Sequence, residues 1–196
     1  NNLMPVTING DGSITGLAAG GISGAGAIAP GAITSSAMPA GSVVQCVTDT
    51  TTLRTTNQTS TYVAINGLSI TMTPRAANSK FYAIFEGHFY VDYGGSGSNN
   101  AHGFGYNIYK DSTRFTTSPN DSGGGENNEN PYDWYTDGDS RTVARLMKTG
   151  QGTFGSTSAA TFTVKFKGYN TSPLIQLNQD NANETQAQLT VMEIAV

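Results

Sequence analysis

The chain has 196 residues, 12% of them charged and 37% hydrophobic, with a net charge of −4. An average globular domain carries about 25% charged residues, and Thr, Ser, Asn and Gly make up the difference here, as in strand-rich proteins with uncharged polar faces. The acidic balance and scattered cations exclude a basic nucleic-acid surface, no run is long enough for a transmembrane helix, and the single Cys46 excludes an intrachain disulfide.

The first 48 residues carry one charged side chain, Asp11. Gly16–Ile22 and Gly24–Ile33 are almost entirely Gly, Ala and Ile. Such a strip is too rich in Gly for a stable helix and too broken for a sheet of its own. It is also too neutral for a typical solvated tail. Residues 1–38 therefore read as an extended N-terminal arm that gains order by lying on another protein. Ordering a backbone costs about 1–2 kcal/mol per residue, so docking requires burial of Leu3, Val6, Ile8, Ile14, Leu17, Ile22, Ile28 and Ile33. No basic region followed by a compact apolar run opens the chain, so a secretory leader is not expected.

Residues 39–196 read as one domain of strands separated by turn signals. Ser42–Thr48 is the first, with Cys46 expected to be a small buried hydrophobe. Thr61–Ile65 and Leu68–Thr73 flank Asn66-Gly67, which marks a hairpin or a bulge in one long strand. Lys80–Tyr93 places Phe81, Ala83, Phe85, Gly87, Phe89, Val91 and Tyr93 on one face, the expected core face. Tyr82, Ile84, Glu86, His88, Tyr90 and Asp92 fall on the other. Gly103–Lys110 alternates Phe104, Tyr106 and Ile108 against Gly105, Asn107 and Tyr109, and Asp111-Ser112 turns into Thr113–Thr116. Thr142–Lys148, Thr161–Tyr169, Leu174–Asn178 and Ala187–Val196 complete the set, and no helix is expected.

Residues 117–140 form a loop long enough to be functional. Tyr132, Trp134 and Tyr135 within it suit a protein contact or a sugar-stacking platform. The opposing reading is that Trp134 folds back and plugs the domain. Asp133, Asp137 and Asp139 supply oxygen ligands suited to Ca²⁺, without the spacing of an EF-hand loop. Acidic Gly-rich loops are more often solvated turns. Catalysis is not expected. Gly95-Ser96-Gly97-Ser98 lacks the strand–turn–helix context of a nucleophile elbow, and only His88 and His102 could activate a nucleophile. No cofactor is implied.

Seven to nine strands at this spacing indicate an all-β fold, an antiparallel β-sandwich of jelly-roll type. Ala37–Gln45, Leu68–Pro74, Asn78-Ser79-Lys80 and Leu189–Ile194, with Ile14-Thr15-Gly16-Leu17 in the arm, resemble virion proteins of tailed bacteriophages, the small head-decoration or tail-fibre-like proteins of marine and cyanobacterial phages. That resemblance implies a homotrimer on the virion surface, with the major capsid protein or other virion proteins as partners and no nucleic acid or membrane. Two roles follow from it. One is a capsid decoration or cement protein held by its arm. The other is a tail-fibre tip that recognises a host surface. The length favours the first, since a fibre needs a docking domain and a shaft. A carbohydrate-binding module, with Tyr132, Trp134 and Tyr135 on a glycan, is a third reading.

Overall fold

The computed structural model describes residues 7–8, 14–15, 38–92, 102–115, 134–136, 142–168, 174–178 and 185–196. The chain divides into two compact units, Asn1–Met38 and Pro39–Val196. In the first, β1 (Thr7–Ile8) and β2 (Ile14–Thr15) pair antiparallel, with Ile8 opposite Ile14 and Thr7 opposite Thr15. The sequence predicts no sheet there. Between these β-branched pairs, however, lies Asn9-Gly10-Asp11-Gly12, and Asn-Gly and Asp-Gly are strong short hairpin signals.

The second unit is all-β, with no helix among the described residues. Its strands are β3 (Val43–Thr51), β4 (Thr55–Asn57), β5 (Val63–Met72), β6 (Lys80–Asp92), β7 (His102–Lys110), β8 (Thr113–Phe115), β9 (Trp134–Thr136), β10 (Thr142–Thr153), β11 (Ala160–Gly168), β12 (Leu174–Leu177) and β13 (Ala187–Ile194). All pairings are antiparallel and form two sheets. The larger runs β10-β6-β13-β3, and beyond β13 the strands β12 and β4 continue the same two columns. The smaller runs β5-β11-β7-β8, with β9 beside the other end of β7.

The two sheets pack as a β-sandwich around one apolar cluster. From β6 come Phe81, Ala83, Phe85, Phe89 and Val91, all buried, as the alternation predicts. Tyr93, the last residue of that predicted face, lies outside the described residues. The facing sheet supplies Phe104, Tyr106 and Ile108 from β7 and Phe162, Val164 and Phe166 from β11. Phe89 lies 4.8 Å from Phe104, 5.3 Å from Tyr106 and 5.6 Å from Phe166, ring centre to ring centre. A second cluster joins Phe81 to Phe162 at 5.0 Å and to Phe154 at 5.5 Å. Burying each such ring stabilises the fold by about 1.5–3 kcal/mol, and edge-to-face pairing adds about 0.5–1.5 kcal/mol.

Polar side chains stitch the rims of the sandwich. On one side the Ser69 N–H donates to Asp49 Oδ2 at 2.8 Å, and Thr51 Oγ1 donates to the Asn66 carbonyl at 3.0 Å. Gln45 Nε2 donates to the Thr73 carbonyl, and the buried Glu193 carboxylate accepts from the Arg75 N–H. Asn57 Nδ2 reaches the Phe166 carbonyl at 2.8 Å. On the other side two inward-pointing lysines close the gap. Lys148 Nζ donates to the Tyr106 carbonyl at 2.7 Å, and Lys110 Nζ to the Phe154 carbonyl at 2.8 Å. Asn178 bridges the break between β3 and β4. Its N–H donates to the His88 carbonyl and its Nδ2 to the Thr51 carbonyl, from a φ of 53° that Asn tolerates better than most residues.

Several sequence expectations change. Asn66-Gly67 is not a hairpin. Val63–Met72 is one strand whose register against β11 shifts between Thr163 and Lys165, so Ile65–Leu68 bulge out. Gly67 adopts a φ of 67°, and an added Cβ would lie 2.8 Å from Leu53 Cδ1. Cys46 is exposed rather than buried, because the register sets it opposite Met192 on the solvent side of the larger sheet. β4 was not predicted, and β10 runs on to Thr153. Its Gly150 and Gly152 take inward positions opposite Ala83 and Phe81.

Gly87 has an ordinary backbone, but a Cβ there would sit 2.6 Å from Phe85 Cζ and 2.9 Å from Leu177 Cδ1. Both atoms belong to fully buried side chains. Gly87→Ala is therefore expected to destabilise the protein by about 1–3 kcal/mol through overpacking, read as a lower urea midpoint. An unchanged midpoint would show that the core can yield there.

Candidate functional site

Most residues singled out from the sequence for contact, Leu3, Val6, Leu17, Ile22, Ile28, Ile33 and Tyr132, lie outside the described residues, as do Asp133, Asp137 and Asp139. Ile8 and Ile14 face each other in the β1–β2 pair. Trp134 and Tyr135 belong to β9, where they pair with Phe104 and Gly103 of β7. They are thus part of a sheet edge and not of an open loop. Among the described residues no group of three or more His, Cys, Asp or Glu could hold a metal ion.

Cys46 and His88 do not form a nucleophile–base pair. Cys46 shares a row with Met192 and Tyr82 across the larger sheet. His88 is six residues further along β6, roughly 20 Å away at about 3.3 Å per residue. His88 is half-buried on the outward face, beside Arg145 of β10.

The outward faces of the two sheets differ. On the smaller sheet Lys165 Nζ stands 4.5 Å from the centre of the Tyr109 ring, and Lys167 Nζ 4.9 Å from that of Tyr62. The two rings meet edge to face at 5.8 Å. Beneath them Asn107, opposite Lys165, donates from Nδ2 to Tyr62 Oη at 3.0 Å. Asn107 is 3% exposed, and its Oδ1 and the nearby Thr163 Oγ1 make no hydrogen bond. Two ammonium groups two residues apart on one strand lie roughly 7 Å apart at their roots. Held over aromatic faces, they suit an anionic or hydroxyl-rich ligand. Sequence reasoning missed this cluster. The alternation of Lys165 and Lys167 with Val164 and Phe166 was a signal, but only the register brings Asn107 and Tyr109 beside them.

The outward face of the larger sheet is nearly neutral. Its rows, read across β3, β13, β6 and β10, are Val43–Ile194–Lys80–Thr153, Cys46–Met192–Tyr82–Gln151, Thr48–Thr190–Ile84–Thr149 and Thr50–Gln188–Glu86–Met147. Lys80 marks one end, and Glu86, ion-paired with Arg145, the other. A groove of about 560 Å³ opens around Lys80, Tyr82, Gln151, Thr153, Met192 and Ile194. Met147 is 65% exposed and Val43 48%.

No protein-family model matches this chain, and no curated protein matches it.

The cation–π contacts on the smaller sheet should couple measurably. A double-mutant cycle of Tyr109→Leu with Lys165→Met is expected to give a coupling of about 0.5–1 kcal/mol by thermal unfolding. A coupling of zero would mean that the lysine only overlies the ring.

Proposed function

We propose that this chain is a structural virion protein, a capsid decoration or cement protein of a tailed bacteriophage, and not an enzyme. The carrying observation is the strand order. With β4, β9 and β12 counted as continuations of β3, β8 and β13, the sheets contain strands one, eight, three and six, and two, seven, four and five. That order supports a jelly roll of two Greek keys, an architecture used by viral capsid and lectin domains. The short motifs quoted above support the virion setting, and the outward face of the larger sheet, nearly neutral between Lys80 at one end and the Glu86–Arg145 pair at the other, supports life inside an assembly.

On this reading the head is a spacer fixed to the capsid surface as a homotrimer. Residues 1–38 extend over the major capsid protein or another virion protein. Cement proteins work by adding apolar contact at many copies per particle, and the small neutral residues of this segment permit close backbone approach. The wide separation of Cys46 from His88 supports the absence of catalysis.

A second role, a tail-fibre tip that recognises a host-surface glycan, is favoured by the Tyr62–Tyr109–Lys165–Lys167 cluster. Glycan-array binding lost in a Lys165→Met/Lys167→Met protein of unchanged stability would support that role over the first.

Deleting residues 1–38 is expected to leave a cooperatively melting head that no longer binds capsids. Undiminished capsid binding by the truncated protein would refute the role given to the arm. The number of copies per particle separates the two roles: hundreds fit a capsid, and a few to a few dozen fit a tail.

A further inference from the structure

We propose that the Lys165–Asn107–Thr163 cluster on the outward face of the β5-β11-β7-β8 sheet binds an acidic saccharide, with the carboxylate on Lys165 and sugar hydroxyls on Asn107 and Thr163. The inference names a ligand class for the glycan-recognition role and rests on that role. It is independent of capsid binding.

The charge on this face is of one sign. Its rows, read across β5, β11, β7 and β8, are Thr71–Thr161, Ser69–Thr163–Tyr109–Arg114 and Ala64–Lys165–Asn107, with Lys167 opposite Gly105. These rows hold three cations and no carboxylate, although the whole chain carries −4. Lys165 is half-buried, with its Nζ 4.5 Å from the centre of the Tyr109 ring. No described carboxylate pairs with it. A ring face attracts a cation without neutralising it, so the ammonium retains its demand for an anion.

An anion alone would leave the cluster incomplete. Asn107 is 3% exposed, and its Nδ2 donates to Tyr62 Oη at 3.0 Å, so the amide reaches in among the rings. Its Oδ1, on the same amide, makes no hydrogen bond. Neither does Thr163 Oγ1, which lies two residues before Lys165 on the same face of β11. Buried polar groups are nearly always paired, and a carbonyl oxygen can be paired only by a donor. An ionised carboxylate or sulfate by itself only accepts. A sugar acid supplies both needs, a carboxylate for the ammonium and neighbouring hydroxyls for the two oxygens. That combination selects an acidic saccharide over a simple anion and over a neutral glycan. Lys165 is also the residue opposite Asn107 in the ladder. A cation–π contact is weak where the cation keeps part of its water. The lysine stem can therefore turn from Tyr109 to a bound carboxylate, which brings the Asn107 and Thr163 oxygens within reach of the sugar.

The test is isothermal titration of the full chain with oligomers of galacturonate, of alginate and of hyaluronan. At least one is expected to bind, with an affinity that falls as salt rises. Its carboxyl-reduced form and polyglutamate of matching charge should bind far more weakly. Lys165→Met should weaken binding about tenfold or more. Thr163→Val should weaken it about threefold or more without lowering the melting temperature, because the hydroxyl it removes has no partner in the free protein. Lys80→Met, the same change of charge on the other sheet, should leave binding unchanged. The proposal is overturned if none of the three oligomers binds at millimolar concentration, if polyglutamate binds as tightly as the best of them, or if Lys165→Met leaves binding intact. Equal binding of the carboxyl-reduced form would overturn the ligand class and leave the glycan role standing. Absence of binding to acidic and neutral glycans alike would remove the glycan role as well.

Discussion

The interdigitation of Phe81, Phe85 and Phe89 with Phe104, Tyr106, Phe162 and Phe166 is the constraint from which the rest of the head follows. Side chains alternate along a strand, so a slip of one residue would turn the aromatic face of β6 out to water. Burial of these rings therefore sets the register of β6. Because β6 pairs with β10, β13 and β12, it sets theirs as well. Gly87 shows how tight the arrangement is: the space its side chain would need is occupied by Phe85 and Leu177.

A sandwich has open sides, and the low charge content is consistent with how this one closes them. Gln45, Asp49, Thr51, Thr55 and Asn57 offer short polar groups that bond backbone atoms across the gap. Lys148 and Lys110 do the same on the opposite side while laying their stems along the core. Buried backbone groups must be paired, and at the edge of a sheet side chains are the available partners. Thr51, Thr55 and Asn57 are used in this way. Others remain outside as hydroxyl ladders, such as Thr48–Thr190 on the larger sheet and Thr71–Thr161 on the smaller.

Once the core and rims are assigned, two outward faces remain, and they differ in kind. One is a neutral ladder crossed by an apolar stripe. The other sets Lys165 and Lys167 over Tyr109 and Tyr62. Here the described ionisable groups are spread over rims and faces.

Period-two alternation in Lys80–Tyr93 and Gly103–Lys110 made their faces legible from the sequence, because each alternating run has one face it must bury. The Asp111-Ser112 turn and the absence of helix in the described strands were legible for the same local reasons. The exposure of Cys46, the Ile65–Leu68 bulge and β4 were not. Each depends on which strand lies alongside and in what register: Cys46 faces out because Met192 is its neighbour, and the bulge forms because Thr163 and Lys165 pair with residues five apart on β5. The Tyr–Lys cluster is of the same kind, since Asn107 and Lys165 are far apart in the chain and meet only across the β7–β11 ladder. The sequence by itself determined which residues must be hidden and hence the class of fold. Only the tertiary structure decided which of the remaining residues stand together on the outside, because that depends on long-range strand pairing, which local patterns do not encode.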